Sequence, residues 1–422
     1  MNITFFFPYP YISGIPVLFA NLTNYLLKDN KHEVNIIDYK NGALIRSCKP
    51  NSKLNFIEFK DFESCIIDFE THLIIQAGLP YKLRKELKIT EKVKILQWAA
   101  HESNLVPYLS RFNFILKIQN SNLVIHKIFK LINNKAYKIL SLWVSKMIDR
   151  GSIVFMTQEI YDNTTKYLFL KNTHSVTYLP NFSFGENEYN EQLILSKSKK
   201  INQKLNLSWV GRIADFKIHI LNYSILKLSN YACKTQTKIN FHIIGSGEFE
   251  KILNLDCQNQ FFKIIKVGKL EKDLVDKYLE KNIDAMFSMG TSALDGARIG
   301  LPVVLLDQSV SKVKEGYIFK FLFDSKGFDL GHPVSNLDFE IGNKTLENII
   351  SEIILNYKNV SKKTLDYYSD NHSIESVSTK LLNLINTNSF YSFHEIDKSL
   401  LYTDFFRKLY LFYLKNIKKS YY

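Results

Sequence analysis

The residues best suited to chemistry lie in the second half of the chain. Ser208-Trp209-Val210-Gly211-Arg212 reads as a strand end, with Lys217 five residues beyond Arg212. A guanidinium fork and an ammonium at such a point can neutralise a diphosphate. Phe241 to Gly247 reads as a strand ending in a glycine turn, where Gly245 and Gly247 let backbone approach a base or ribose. Met289-Gly290-Thr291-Ser292 is a tight turn leading into a helix from Ala293. Its N–H groups face outward at the positive end of the helix dipole, which favours an anion. Asp295 follows in that helix. It can hold ribose hydroxyls, or close a capping box with Ser292. Singly these signals are weak, since glycine turns are common and a cation pair is usually a solvated face.

The elements that must position these groups alternate between strand and helix. Asn2 to Phe7, a loop to Gly14, a helix over Val17 to Lys28 and a strand over His32 to Ile37 make a βαβ opening. Gly14 sits in the loop after the first strand, where a phosphate cradle or a plain loop glycine are both open readings. Further strands are expected at Asn55 to Phe59, Leu73 to Gln76, Lys94 to Trp98, Ser152 to Met156 and Val176 to Pro180. The polar stretch from Asn181 to Lys200 is the best boundary. A second alternation follows. Its strands are Leu205 to Val210, Asn240 to Ile244, Phe262 to Val267, Ala285 to Ser288 and Val303 to Leu306; its helices are Ile220 to Tyr231 and Lys272 to Glu280. Leu346 to Tyr357 and Ile374 to Ile385 look helical, the latter opened by Ser373. The chain therefore reads as α/β, with two Rossmann-like domains facing a cleft. The expected domains are 1–182, with a helical insertion at about 109–147, then a linker 183–204, a domain 205–370 and a C-terminal helix and tail 371–422. A return of the C-terminal helices to the first domain is left open.

Composition bounds the partners. The 422 residues are 46% hydrophobic and 23% charged, which suits two globular domains rather than a disordered chain. Lysine and arginine outnumber acids 55 to 41, for a net charge of +14. That surplus points to an anionic partner, unless it is merely a lysine-rich composition. Leu109 to Met147 mixes Phe112, Phe114, Ile125, Phe129, Leu140 and Trp143 with six lysines and no acid. A basic amphipathic helical pair of this kind suits an anionic lipid surface, and the tail from Tyr402 repeats the theme. The alternative is a helical pair packed on the sheet with a solvated lysine face. Cys48, Cys65, Cys233 and Cys257 form no CxxC pair and read as reduced thiols of a cytosolic protein. No basic residue precedes Lys28 and prolines interrupt the first apolar run, which argues against a signal peptide. No apolar run reaches the roughly 18–20 residues of a membrane span.

The order and spacing of the second-half motifs resemble the GT-B glycosyltransferases, in particular glycosyltransferase family 4 of bacterial polysaccharide assembly. Val210-Gly211-Arg212 with Lys217 matches the family's VGR…K motif, and implies that Arg212 and Lys217 meet the donor diphosphate. Ile244-Gly245-Ser246-Gly247 matches its glycine-turn strand. Val267-Gly268-Lys269-Leu270 matches the strand end near the nucleotide base. Gly290-Thr291 through Leu294-Asp295-Gly296, Gly300, Pro302, Val303 and Val304 match its E-G-F-G…L-E-A-x-x-x-G-x-P-V-V segment. Asp295 stands for the second glutamate of that segment, and the first falls by count at Phe287. The match spans Leu205 to Asp307, and extends more loosely to Gly14 and the Pro180-Asn181 joint. His101, after the strand ending at Trp98, lies where the family often has a histidine that contacts sugar; Glu102 is the alternative base. Arg298 reads as a helix-surface residue.

The resemblance implies transfer of a sugar from a nucleotide-sugar donor to a glycan or polyprenyl-diphosphate-linked acceptor, in cell-surface polysaccharide or lipopolysaccharide biosynthesis. It implies retention of anomeric configuration. Arg212, Lys217 and the Gly290 and Thr291 amides would stabilise the departing diphosphate. No convincing DxD motif is present, so no metal and no cofactor is expected, and the enzyme is expected at the inner face of the cytoplasmic membrane. Two rivals stand beside it: a UDP-sugar epimerase of the same fold, and a catalytically silent GT-B subunit. Nucleic-acid binding lacks any recognised module.

Overall fold

The structure, a computed structural model, describes residues 1–29, 31–79, 86–106, 123–132, 134–171, 176–183, 185, 189–201, 204–335, 345–387 and 390–392. The first part of the basic segment expected at 109–147 and the aromatic, basic tail from Tyr402 lie outside these residues. So do parts of the expected linker. The chain divides into two compact units, Met1–Pro180 with Ser378–Tyr422, and Asn181–Val377.

The first unit runs β1 (Asn2–Phe6), α1 (Gly14–Leu26), β2 (Glu33–Asp38), α2 (Ala43–Arg46), β3 (Leu54–Glu58), β4 (Cys65–Ile67), β5 (Thr71–Gln76), β6 (Leu87–Ile89) and β7 (Val93–Ala99). It continues with α3 (Leu123–Ile132), α4 (Asn134–Asp149), β8 (Ile153–Phe155) and α5 (Gln158–Leu168). The strands pair in parallel in the order β3-β2-β1-β5-β7, with β8 on the far side of β7. Runs such as Ile3 to Phe6 and Val34 to Ile37 are buried throughout, as strands covered on both faces must be. Helix α1 starts at Gly14, earlier than expected, because Pro16 suits a first helical turn. The short parallel pair β4-β6 has no counterpart in the sequence reading; three residues are too few for a periodic signal.

The second unit opens with a helix where the sequence suggests a linker, α6 (Glu191–Lys200). The Asn190 side chain caps it by accepting the Leu193 N–H, and Lys197, Lys199 and Lys200 suit the negative end of its dipole. Ile194 and Ile201 join the core of this unit, and Lys197 is buried with them, its Nζ donating to the Ile283 carbonyl. Then come β9 (Leu205–Val210), α7 (Asp215–Thr235), β10 (Ile239–Ile244), β11 (Phe262–Gly268), α8 (Lys272–Asn282), β12 (Ala285–Ser288), α9 (Thr291–Arg298), β13 (Val303–Leu305), β14 (Lys320–Phe321), α10 (Leu346–Leu355) and α11 (Tyr357–Asn371). The sheet order is β11-β10-β9-β12-β13-β14, parallel except for β14. Strand order reverses at β9, which lies between β10 and β12. That is a topological switch point, where a crevice opens at the carboxyl ends of the strands.

Phe287, where the family's first glutamate falls by count, is fully buried in β12 and packs edge-on to Phe241 and Phe319 at 6.3 and 6.1 Å. It is a core residue of the strand. Helix α12 (Ile374–Thr387) carries the chain out of the second unit, and β15 (Tyr391–Ser392) then pairs antiparallel with β7 through Tyr391 and Ile95. Among the described residues, no helix is long and apolar enough to cross a membrane.

Candidate functional site

Three glycine turns interlock at the carboxyl ends of β9, β10 and β11. Gly211 N–H donates to the Ile244 carbonyl at 3.0 Å, Gly245 N–H to the Gly268 carbonyl at 2.7 Å, and Ile213 N–H to the Ser246 carbonyl at 3.1 Å. Gly245 has φ +134°, and a Cβ there would stand 2.1 Å from the Gly211 oxygen. Only glycine lets the two turns pass so closely. An open cleft of about 710 Å³ lies over these turns, lined by Gly211, Arg212, Gly245, Gly247, Lys269 and Leu270 among others.

Two helices start beside this cleft. Helix α7 begins at Asp215, earlier than the sequence suggests, and this places Lys217 within its first turn. Its N-cap, Ala214, supplies no side-chain acceptor. Helix α9 begins at Thr291 after Gly290, whose φ of +65° turns the chain and which likewise supplies no side-chain cap. Both starts flank Gly211: a Cβ there would lie 3.5 Å from Lys217 Nζ and 3.7 Å from Ser292 Oγ. Ser292 Oγ donates to the Met289 carbonyl at 2.9 Å and lies 2.8 Å from Ser288 Oγ.

The cleft lining carries Arg212 and Lys269 together with Asp215 and Glu248, and Asp215 Oδ1 accepts the Phe216 N–H at 2.8 Å at the start of α7. Among the described residues, no carboxylate pairs with Arg212 or Lys217. A lysine in the first turn of a helix opposes the dipole, and Lys217 is half-buried besides. Burial first, and the Arg212 charge second, hold its pKa below the usual lysine value. Two unpaired cations and two uncapped helix starts make a site for an anion with several oxygens.

The amides divide differently from expectation. Gly290 N–H is already donated to the Leu330 carbonyl at 2.7 Å, so it is not available to a phosphate. Among the described residues, the Thr291 and Ser292 amides make no hydrogen bond. Of the two roles expected for Asp295, the structure bears on the capping box. No capping box forms, because its carboxylate accepts from Ser183 Oγ and stands 3.6 Å from Lys272 Nζ. Arg298 is not a surface residue: its guanidinium donates to Asp276 Oδ2 at 2.6 Å, with both side chains at least nine-tenths buried. The partner is 22 residues back on α8, beyond the reach of helical spacing.

Gly14 and His101 belong to the first unit. Gly14 is the first residue of α1, with no atom within 4 Å of where its Cβ would be. His101 is exposed in the loop after β7, its Nδ1 accepting the Ser103 N–H at 3.1 Å. With Nδ1 an acceptor, the neutral ring carries its proton on Nε2 and presents a donor. Glu102 accepts from Asn163 Nδ2 at 3.2 Å.

A further cluster escaped the sequence reading. Asp307, Asp329 and His332 bring ligand atoms within 4.8 Å of one another, a spacing that could hold a metal ion. Lys320 Nζ already stands there, 3.1 Å from Asp307 and 3.7 Å from Asp329. Burial pushes the Asp307 carboxyl up; for half-buried Asp329 the desolvation is outweighed by its hydrogen bond with His332 and by the His332 and Lys320 charges, which hold it below the usual range. This cluster fixes the loop that delivers the Leu330 carbonyl to Gly290.

No family model matches the sequence, and no curated protein does. Solved structures similar to this chain include WaaG, a glycosyltransferase involved in lipopolysaccharide biosynthesis, at 12% identity and TM-score 0.47, over 92% of this chain and 100% of that one. A glycosyltransferase from Rickettsia africae ESF-5 aligns at 12% identity and TM-score 0.49, over 92% and 99%. Sucrose-phosphate synthase from Thermosynechococcus elongatus aligns at 10% identity and TM-score 0.49, over 91% and 98%.

Proposed function

We propose that this chain is a glycosyltransferase of the GT-B architecture, moving a sugar from a nucleotide-sugar donor to a hydroxyl of a glycan or polyprenyl-diphosphate-linked acceptor. The observation that carries this reading is the meeting of Arg212, Lys217 and two uncapped helix starts around Gly211, beside a cleft large enough for a nucleoside diphosphate. In the reaction, the bond between the anomeric carbon and the diphosphate breaks and its electron pair passes to the phosphate oxygen. Arg212, Lys217 and the Thr291 and Ser292 amides are placed to stabilise that charge, an effect worth several kcal/mol in a water-excluded site. Cations and helix dipoles then serve where other enzymes use a metal ion. The acceptor oxygen bonds to the same face of the sugar, with retention, and its proton leaves with the diphosphate. In the first unit, His101 Nε2–H serves as a donor to the acceptor rather than as a base.

The acceptor is held at an anionic membrane surface. Helix α3 supports this, since Val124, Ile128 and Leu131 are exposed at three- and four-residue spacing beside an exposed Lys127. The pathway is assembly of a cell-surface polysaccharide. A silent, donor-binding subunit is the second reading, favoured by the buried Phe287 at the position where the family's first glutamate falls by count.

Nucleotide release and sugar transfer, measured across a panel of nucleotide sugars, test the reading. The expected result is turnover with one donor, lost in Arg212→Ala with the thermal melt unchanged. Full activity in that variant overturns the donor site. Stabilisation by a nucleotide sugar without any turnover selects the silent subunit.

A further inference from the structure

Asp295 lies one turn beyond Thr291 and Ser292 on the same side of α9. Its carboxylate is engaged by Ser183 Oγ and Lys272 Nζ, and only 15% of the side chain is exposed. Ser183 is itself held in place. Its carbonyl accepts from Tyr368 Oη at 3.0 Å and its backbone bridges to Ser373, while His372 Nδ1–H donates to the Asn181 carbonyl at 2.6 Å. The same segment continues along α9. A Cβ on Gly185 would stand 2.4 Å from the Arg298 guanidinium, and one on Gly300 would stand 2.6 Å from the Tyr189 ring.

Helix α9 needs such a strap. It has eight residues, too few to be stable alone. Ala293, Gly296 and Ala297 bury little side chain, and a Cβ on Gly296 would meet Met286 Sδ at 2.2 Å. Leu294 in the core and the buried Arg298–Asp276 pair hold the C-terminal part of the helix; nearer its start, the Asp295 contacts are the polar ones that reach outside it. Asp295 joins it to a segment that is anchored independently on α11.

We propose that Asp295 is a positioning residue: it fastens α9 to Ser183 and so fixes where the Thr291 and Ser292 amides stand beside Lys217, instead of binding the donor's ribose. The proposal rests on the nucleotide site described above. An aspartate carboxylate sits one methylene closer to its helix than a glutamate's, within reach of Ser183.

Titration calorimetry with UDP, 2′-deoxy-UDP and 3′-deoxy-UDP tests this on the full chain and on Ser183→Ala, Asp295→Ala, Asp295→Asn and the double alanine variant. Ser183→Ala and Asp295→Ala each weaken UDP binding about tenfold, and the double variant is no weaker than either. Asp295→Asn keeps an acceptor for Ser183 and stays within about threefold of the parent. The preference for UDP over its deoxy analogues is the same in every variant. If either Asp295 variant loses that preference while Ser183→Ala keeps it, Asp295 is a ribose ligand and the proposal is overturned. Unchanged UDP affinity in Ser183→Ala overturns it too. Absence of binding of UDP, GDP and ADP to the parent chain removes the nucleotide site, and the proposal with it. Should the alanine variants fail to fold, Asp295→Asn still reads ribose preference.

Discussion

Lys217 Nζ stands 5.8 Å above the indole of Trp209, half-buried at the start of α7 and paired with no carboxylate among the described residues. Folding places a lysine where its charge is disfavoured, by burial first and by Arg212 second. The native pKa is depressed, so at neutral pH the charge destabilises the free protein. That penalty fades as pH rises through the native pKa towards the unfolded value, and stability increases across that window.

Lys217→Met therefore separates stability from function. Urea unfolding at pH 7 should show the free variant more stable by ~0.5 kcal/mol, the scale of a misplaced charge at a helix start. Its melting temperature should no longer rise with UDP. An undiminished UDP-induced rise would show that the anion binds elsewhere.

The Arg298–Asp276 pair gives a prediction about the fold alone. Asp276→Ala leaves a buried guanidinium without its carboxylate and should cost about 3 kcal/mol in denaturant unfolding. Replacing both partners with leucine or methionine should cost much less, because no buried charge remains. Equal losses in the single and double variants would contradict this account.

His242 predicts acid sensitivity. It is 6% exposed in β10, with Nδ1 2.9 Å from Tyr278 Oη, and burial followed by the Lys204 charge takes its pKa down to about 4. Between pH 6.5 and that value the unfolded chain binds a proton that the native chain does not. Stability should fall by up to about 1.4 kcal/mol per pH unit over that window from this group. His242→Phe should flatten the slope between pH 7 and 5, whatever its cost at pH 7. A parallel slope in the two proteins would locate the acid sensitivity in other groups.

Membrane contact is testable on α3. Ile128→Lys and Leu131→Lys place charge on the exposed apolar stripe and should lower flotation with vesicles containing anionic phospholipid by about tenfold or more. Donor hydrolysis in the absence of vesicles should be unchanged. Equal flotation of variants and parent would remove α3 from the contact.

The glycine turns and strands of the second unit were legible in the sequence, because Gly211, Gly245 and Gly290 end apolar runs that period and punctuation identify. Lys217 was legible as a partner of Arg212, but its place in a helical first turn was not, since Asp215 and Phe216 carry no strong start signal. Asp295 and Ser183 are 112 residues apart, and Asp307, Asp329 and Lys320 meet only through the sheet edge. Such pairings are set by tertiary packing, which no local pattern encodes. The same reason hid α6, whose lysine-rich face outweighs the few apolar residues it buries.

The pairing of Tyr391 with Ile95 bears on how the protein is made. The second unit is continuous in sequence, so it can close as soon as it clears the ribosome. The first unit cannot: the strand that covers one edge of β7 is synthesised after the whole second unit. Until then β7 presents unpaired backbone at Lys94 and Ile95, an open template for another strand. This edge of the first unit is thus open to mispairing until the second unit has been made, and recombinant yield should depend on temperature and chaperones through it rather than through the second unit.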